Sequence, residues 1–143
     1  MYQKIIIIGN LGRDPEMRYM PDGTAVTNIN VATNRRWTDR ASGEPRDETT
    51  WFRVSVWRRQ AETVNQYLSK GSRVLVEGRL QTDPQTGGPR LFTRQDGTVG
   101  ATYEITADFV RFLSGRDEGG FGGSEGGPDS GAPAAQEEDD IPF

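Results

Sequence analysis

Residues 49–59 read Thr-Thr-Trp-Phe-Arg-Val-Ser-Val-Trp-Arg-Arg, and this stretch limits the fold more than any other. In a strand, successive side chains point to opposite faces. Phe52, Val54 and Val56 then form a core stripe, while Trp51, Arg53, Ser55, Trp57 and Arg59 share the other face. A solvated sheet face would carry Thr, Lys and Glu; this one alternates indoles with guanidiniums. That chemistry suits flat rings attached to phosphates. Stacking a base on an aromatic ring is worth about 1–3 kcal/mol and tolerates any sequence, and Arg adds charge and can itself stack. The alternative is a second apolar layer or a subunit contact, with Arg stems lying over both indoles.

The remaining elements fit around this strand. Ile5 to Ile8 is an unbroken apolar run closed by Gly9, the pattern of a strand buried on both faces. In so small a domain, either another subunit or the interior covers its second face. Residues 10–15 and 21–23 read as turns. Between Thr24 and Asn34, Thr27, Ile29, Val31 and Thr33 share one face, and Asn28, Asn30 and Ala32 the other, as in a half-buried strand. Arg35-Arg36-Trp37-Thr38-Asp39-Arg40 then runs into a loop over 41–47. An indole in a polar hairpin has little core to join, so a binding role fits it better.

Ala61, Val64 and Leu68 fall at helical spacing, so a helix is expected over 58–68, closed by Lys70-Gly71. Its place is at one end of a sheet. A strand over 72–82 turns Val74, Val76 and Leu80 inward and Leu75, Glu77 and Arg79 outward. Residues 83–100 read as a hairpin with a long tip, where Phe92 lies between Arg90 and Arg94. Phe92 either stacks a base or packs on its own hairpin. A last strand over 101–113 places Tyr103, Ile105 and Ala107 on one face. The expected class is all-β: a five-stranded OB-fold barrel with one short helix between strands 3 and 4, plus a disordered C-terminal tail. That fold often binds oligonucleotides on its strand 2–3 face and its 1–2 and 4–5 loops. Trp37, Arg40, Trp51, Arg53, Trp57, Arg59 and Phe92 fall there, and Arg79 on the outward face of strand 4 joins them as a candidate.

Charge divides the chain. Residues 1–113 carry sixteen Lys and Arg against thirteen Asp and Glu, a net +3; residues 114–143 carry one Arg against eight acids, a net −7. A basic body with an acidic tail suggests a nucleic-acid surface. Residues 114–136 are rich in Gly, Ser, Pro and Asp and cannot bury enough surface to offset their ordering entropy, so a disordered linker is expected. The end, 137–143, reads Glu-Glu-Asp-Asp-Ile-Pro-Phe. Phe143 suits an apolar pocket on a partner, with Asp139, Asp140 and the terminal carboxylate on its Arg and Lys, and Ile141 and Pro142 between them.

These motifs resemble the bacterial single-stranded DNA-binding proteins of the SSB family. Gly9-Asn10-Leu11-Gly12-Arg13-Asp14-Pro15-Glu16, Arg18-Tyr19-Met20-Pro21, Tyr67-Leu68-Ser69-Lys70-Gly71-Ser72 and the terminal Asp-Asp-Ile-Pro-Phe stand where that family has them. The resemblance covers essentially the whole chain. It implies an OB-fold, a homotetramer and sequence-independent, non-enzymatic wrapping of single-stranded DNA. It also implies a C-terminal tip that recruits replication, recombination and repair proteins. Trp37 and Trp51 match the family's stacking tryptophans, and Trp57 stands where a stacking Phe is usual. Arg40, Arg59 and Lys70 match basic phosphate-contacting positions. Phe52 replaces a His familiar at a subunit contact. The family's loop 4–5 Trp and adjacent Lys are missing from Leu80–Pro84.

The expected domains are thus 1–113 for DNA binding and oligomerisation, 114–136 as linker and 137–143 as tip. With no Cys and no His, thiol nucleophiles, the usual triads and most zinc sites are excluded; no metal and no cofactor is expected. No leader and no long apolar span is visible, so the expected location is cytoplasmic and nucleoid-associated, with no membrane partner. A nuclease on the same barrel would need clustered carboxylates and a base, and Asp47-Glu48 is the only close acidic pair in the body. A primosomal adaptor or RNA-binding module is a further alternative, against which the acidic Ile-Pro-Phe terminus counts.

Overall fold

The computed structural model describes residues 1–113. The elements run β1 (Ile5–Leu11), β2 (Glu16–Tyr19), β3 (Ala25–Thr38), β4 (Pro45–Trp57), α1 (Arg59–Tyr67), β5 (Arg73–Gln81), β6 (Arg90–Thr93) and β7 (Val99–Phe112). Five strands close on themselves. β1 pairs β3, β3 pairs β4, β4 pairs β7 in parallel, β7 pairs β5, and β5 returns to β1. This is the OB-fold barrel, with α1 between its third and fourth strands. The two short strands, β2 beside β3 and β6 beside β7, go beyond the five expected. A register shift in β5 at Glu77/Gly78 supplies the local bend a closing sheet needs.

Alternation accounts for the interior. Ile7, Leu11, Ile29, Val31, Val54, Val56, Val74, Val76 and Ile105 fill it, with Val64 and Leu68 from the helical end. Each such side chain removed from water contributes about 1.5–3 kcal/mol. α1 closes one end of the barrel, as expected; Thr27 Oγ1, fully buried on β3, donates to Ala61 O at 2.7 Å. Tyr103 shares the face of Ile105, as expected, but is about half exposed. It lies at the other end of the barrel and leans on the partly buried Phe52, ring centroids 5.9 Å apart.

β1 departs from its expected double burial. Ile7 is buried, but Ile6 and Ile8 are 57 % and 48 % exposed. The interior therefore does not cover the second face. β1 meets β3 only at Asn10 and Leu11, which leaves the Ile5–Gly9 edge on that side without a strand partner among the described residues.

The largest difference from expectation is the β3–β4 ribbon. β3 continues through Arg35–Trp37 to Thr38, and β4 begins at Pro45. The pairing is unbroken from Val26↔Trp57 to Thr38↔Pro45, so the strands take in the C-terminal part of the expected 41–47 loop and the connection lies over 39–44. Asn34 Nδ2 donates to Thr49 Oγ1 at 2.9 Å, and Arg36 Nε donates to Asp47 Oδ2 at 2.8 Å. These cross-strand pairs hold the ribbon beyond the point where apolar residues run out.

Candidate nucleic-acid interface

The three indoles are open to solvent. Trp37, Trp51 and Trp57 are 40 %, 52 % and 37 % exposed, which removes the alternative of a sealed second apolar layer within the protomer. Their support differs from site to site.

Trp51 stands on the outer wall of the barrel, opposite Ala32 on β3. A side-chain carbon at Gly12 would collide with Cζ3 and Cη2 of its ring. Only glycine lets the loop after β1 come this close, and contact with those two edge atoms wedges the indole by its rim. The ring borders a cleft of about 320 Å³ with Arg13, Asn30, Phe52, Arg53, Phe92 and Thr102. Arg53 makes no ion pair with any described residue, whereas Arg13 lies 3.5 Å from Glu16.

Phe92 reaches this cleft from β6. The Arg94 guanidinium lies 5.3 Å from its ring centroid, and a side chain at Gly100 would strike the ring. Phe92 thus packs on its own hairpin, one of its two expected places, and also borders the Trp51 cleft.

Trp57 borders a second cleft, of about 750 Å³, with Met20, Asp22, Arg58, Gln60 and Arg79 among its walls. Arg79 NH2 lies 3.5 Å from Asp108 Oδ1, so part of its charge is already answered. The Thr24 backbone N–H donates to Asp22 Oδ1 at 2.9 Å and holds that carboxyl below the usual carboxylate range. It therefore remains a negative charge at the cleft border. Arg58 turns the chain from β4 into α1 with φ of 62°, a left-handed conformation that disfavours any residue with a Cβ. Its N–H donates to Ala25 O at 2.8 Å. Arg59, the first residue of α1, borders a neighbouring hollow with Arg58 and Glu62.

Trp37 stands apart. Even-numbered residues of β3 share the outer wall with Trp51 and Trp57, and the continuous register puts Trp37 on the opposite face of the ribbon, across from Arg46. The Arg35 guanidinium lies 5.1 Å from its ring centroid. Arg46 is shared between Asp39 at 3.7 Å and Glu44 at 4.0 Å. Arg40 is exposed in the turn beyond, and Lys70 is exposed after α1, its N–H donating to Asp14 Oδ1 at 2.8 Å. Neither Arg40 nor Lys70 borders the clefts at Trp37, Trp51 and Trp57.

The structure therefore brings Trp51, Arg53 and Phe92 together, sets Trp57 with Arg79 in a second cleft, and holds Trp37 in a third place. Single-strand reading missed Arg13, Asn30, Thr102, Arg46 and Arg58. The signal for two of them lay in strand pairing: one register puts Asn30 beside Arg53 and Arg46 beside Trp37. Among the described residues no cluster of acids could hold a metal ion. The proposed partner-binding residues Asp139, Asp140, Ile141, Pro142 and Phe143 lie outside the described residues, as does the 114–136 linker.

Comparison with known proteins points the same way. Residues 2–113 match the model of the single-strand binding protein family. The SSB of Plasmodium falciparum, solved in complex with ssDNA, aligns with a TM-score of 0.65 at 28 % identity, covering 80 % of this chain and 97 % of that one. A deletion variant of the single-stranded DNA binding protein from Thermus aquaticus aligns with a TM-score of 0.60 at 32 % identity, covering 79 % of this chain. Only 51 % of that longer chain is matched.

Proposed function

The chain belongs to the single-strand binding protein family, and from that premise we propose that it coats single-stranded DNA without regard to sequence, protecting it during replication, recombination and repair. One observation carries this reading. Exposed aromatic rings stand beside guanidiniums in clefts on the outside of a closed barrel. Rings stack any base, and cations answer the phosphates. The DNA-binding set is Trp37, Arg40, Trp51, Arg53, Trp57, Arg59, Lys70, Arg79 and Phe92. The protein acts by binding, not catalysis.

Titrating oligo(dT) while following tryptophan emission, at two salt concentrations, tests this. Stacked indoles should be strongly quenched, and affinity should fall as salt rises. Unchanged emission with no complex at low salt would refute the reading.

Residues 1–113 form the DNA-binding and oligomerisation domain of a homotetramer in this account. Support comes from Ile6 and Ile8, which share an outward face with Leu75 and Phe109. These exposed apolar side chains, with Glu77 and Arg111 interleaved among them, lie beside a strand edge that no described residue pairs, and they suit another copy of the chain. A monomer in sedimentation at micromolar concentration would count against it. The linker 114–136 and the tip 137–143 complete the account, with the tip recruiting DNA-processing enzymes in the cytoplasm, at the nucleoid. A chain ending at Gln136 should still bind DNA and should no longer retain those enzymes.

A further inference from the structure

The four asparagines on the barrel strands are used differently. Asn10 Nδ2 donates to Gly71 O at 3.0 Å, Asn28 Oδ1 accepts from Ser55 Oγ at 2.9 Å, and Asn34 Nδ2 donates to Thr49 Oγ1 at 2.9 Å. Asn30 is different. Its backbone carbonyl accepts from the Gly12 N–H at 3.0 Å, but its side-chain amide bonds to no described residue. It is half-buried, sits beside Arg53 across the strand pair, and borders the cleft that Trp51 and Phe92 also border.

We propose that this cleft seats one unpaired nucleobase, with Trp51 and Phe92 against its ring and the Asn30 amide against its hydrogen-bonding edge. The inference rests on the DNA-binding reading above and adds a chemical role within it. A ligand that fills the cleft takes water away from the Asn30 amide, so it must offer a partner in return. It must also be flat enough for two aromatic walls and anionic enough for Arg13 and Arg53. A base on a phosphodiester backbone has all three properties.

The amide also reconciles an edge contact with indifference to sequence. A primary amide offers an acceptor and donors side by side, and its two ends exchange by a half-turn of the side chain. Each of the four bases carries an adjacent donor and acceptor on its pairing edge: N6–H with N1 in adenine, N4–H with N3 in cytosine, N1–H with O6 in guanine, N3–H with O4 in thymine. One asparagine can therefore meet any of them in a two-pronged contact. A carboxylate of the same shape can only accept, and guanine alone presents two adjacent donors, N1–H and N2–H.

The test is Asn30→Asp in the full chain, against oligo(dT) and the same oligonucleotide with one thymine replaced by guanine. The added negative charge should weaken binding to both. The ratio of affinities should shift toward the guanine-bearing strand by about 5-fold or more relative to the unsubstituted protein, the low end of discrimination by one two-pronged base contact. Asn30→Ser, which keeps the site neutral, should weaken oligo(dT) binding several-fold and leave the salt dependence unchanged, because no phosphate contact is lost. An unshifted guanine ratio in folded Asn30→Asp overturns the base-edge role. If that variant does not fold, unaltered affinity in Asn30→Ser overturns it. If the unsubstituted protein binds neither strand, the DNA-binding reading itself has failed, and the two failures are told apart.

Discussion

Trp51 and Trp37 are both solvent-facing indoles beside guanidiniums, yet they stand on different ground. Trp51 rises from the barrel wall, where the other face of its strand is fixed by Val54 and Val56 in the core, and Gly12 wedges its rim. Arg53 beside it has no ion-pair partner among the described residues. Trp37 rides on the part of the β3–β4 ribbon that extends beyond the barrel, on the opposite face, steadied by Arg35 and by an Arg46 shared with two acids. One site is pre-organised by the core, so little ordering remains to oppose binding. The other is held by cross-strand pairs alone. A strand of DNA touching both must pass from one face of the ribbon to the other, which suits wrapping better than a straight track.

The difference should appear first in stability. Ile29, fully buried in the barrel part of β3, should cost about 2–5 kcal/mol when cut to alanine, the range for removing a large aliphatic side chain from a packed core. Trp37→Ala, a larger truncation on the same strand, should change stability by no more than about 0.5 kcal/mol. Urea denaturation of the two variants compares them directly. Similar losses would mean that the ribbon is part of the cooperative core and that the distinction is wrong.

For DNA the barrel wall should again outweigh the ribbon, by a smaller margin. Trp51→Ala should lower affinity for oligo(dT) by about 2–3 kcal/mol and Trp37→Ala by about 1 kcal/mol, the upper and lower parts of the range for one stacked base. Gly12→Ala leaves every aromatic ring in place but displaces the Trp51 rim, and its loss should lie between those two. Equal losses at Trp51 and Trp37 would show that support from the core does not matter to stacking. An unaffected Gly12→Ala variant would show that the wedge does not position the ring.

The same division explains what the sequence made legible. Residues 49–57 could be read correctly because their apolar stripe fixes which face is inward, and the indoles then had to face outward. The extent of the ribbon beyond is not legible, and residues 41–47 look like a loop, because Arg35 to Arg40 and 41–47 contain no apolar stripe, only charges and turn formers. What makes them strand is pairing between two segments, Asn34 with Thr49 and Arg36 with Asp47, and neither segment carries that information alone. Asn30 escaped notice for a related reason. Its place on the outer face was legible; the meeting of that face with Phe92, brought from β6 more than sixty residues later, depends on barrel closure. Arg79 was expected among the DNA contacts from its outward position, and only the closed sheet brings Asp108 alongside it.

The finest test of the comparison is Asp47→Asn, where the two regions predict opposite signs. Arg36 Nε and Asp47 Oδ2 are 2.8 Å apart, but the Arg36 side chain is 83 % exposed, so water and salt screen the pair and it contributes at most about 1 kcal/mol. Losing the carboxylate should loosen the ribbon by no more than that. It also leaves Arg36 unpaired on the ribbon face continuous with Trp51. If charge governs this region more than geometry does, Asp47→Asn should bind oligo(dT) more tightly at low salt. The gain should be at most about 5-fold, the equivalent of 1 kcal/mol, and should fade as ionic strength rises. Weaker binding at low salt would instead mean that the ribbon must keep its shape for Trp37 to engage DNA. The contrast between a pre-organised wall and a merely paired ribbon would then have been drawn too sharply.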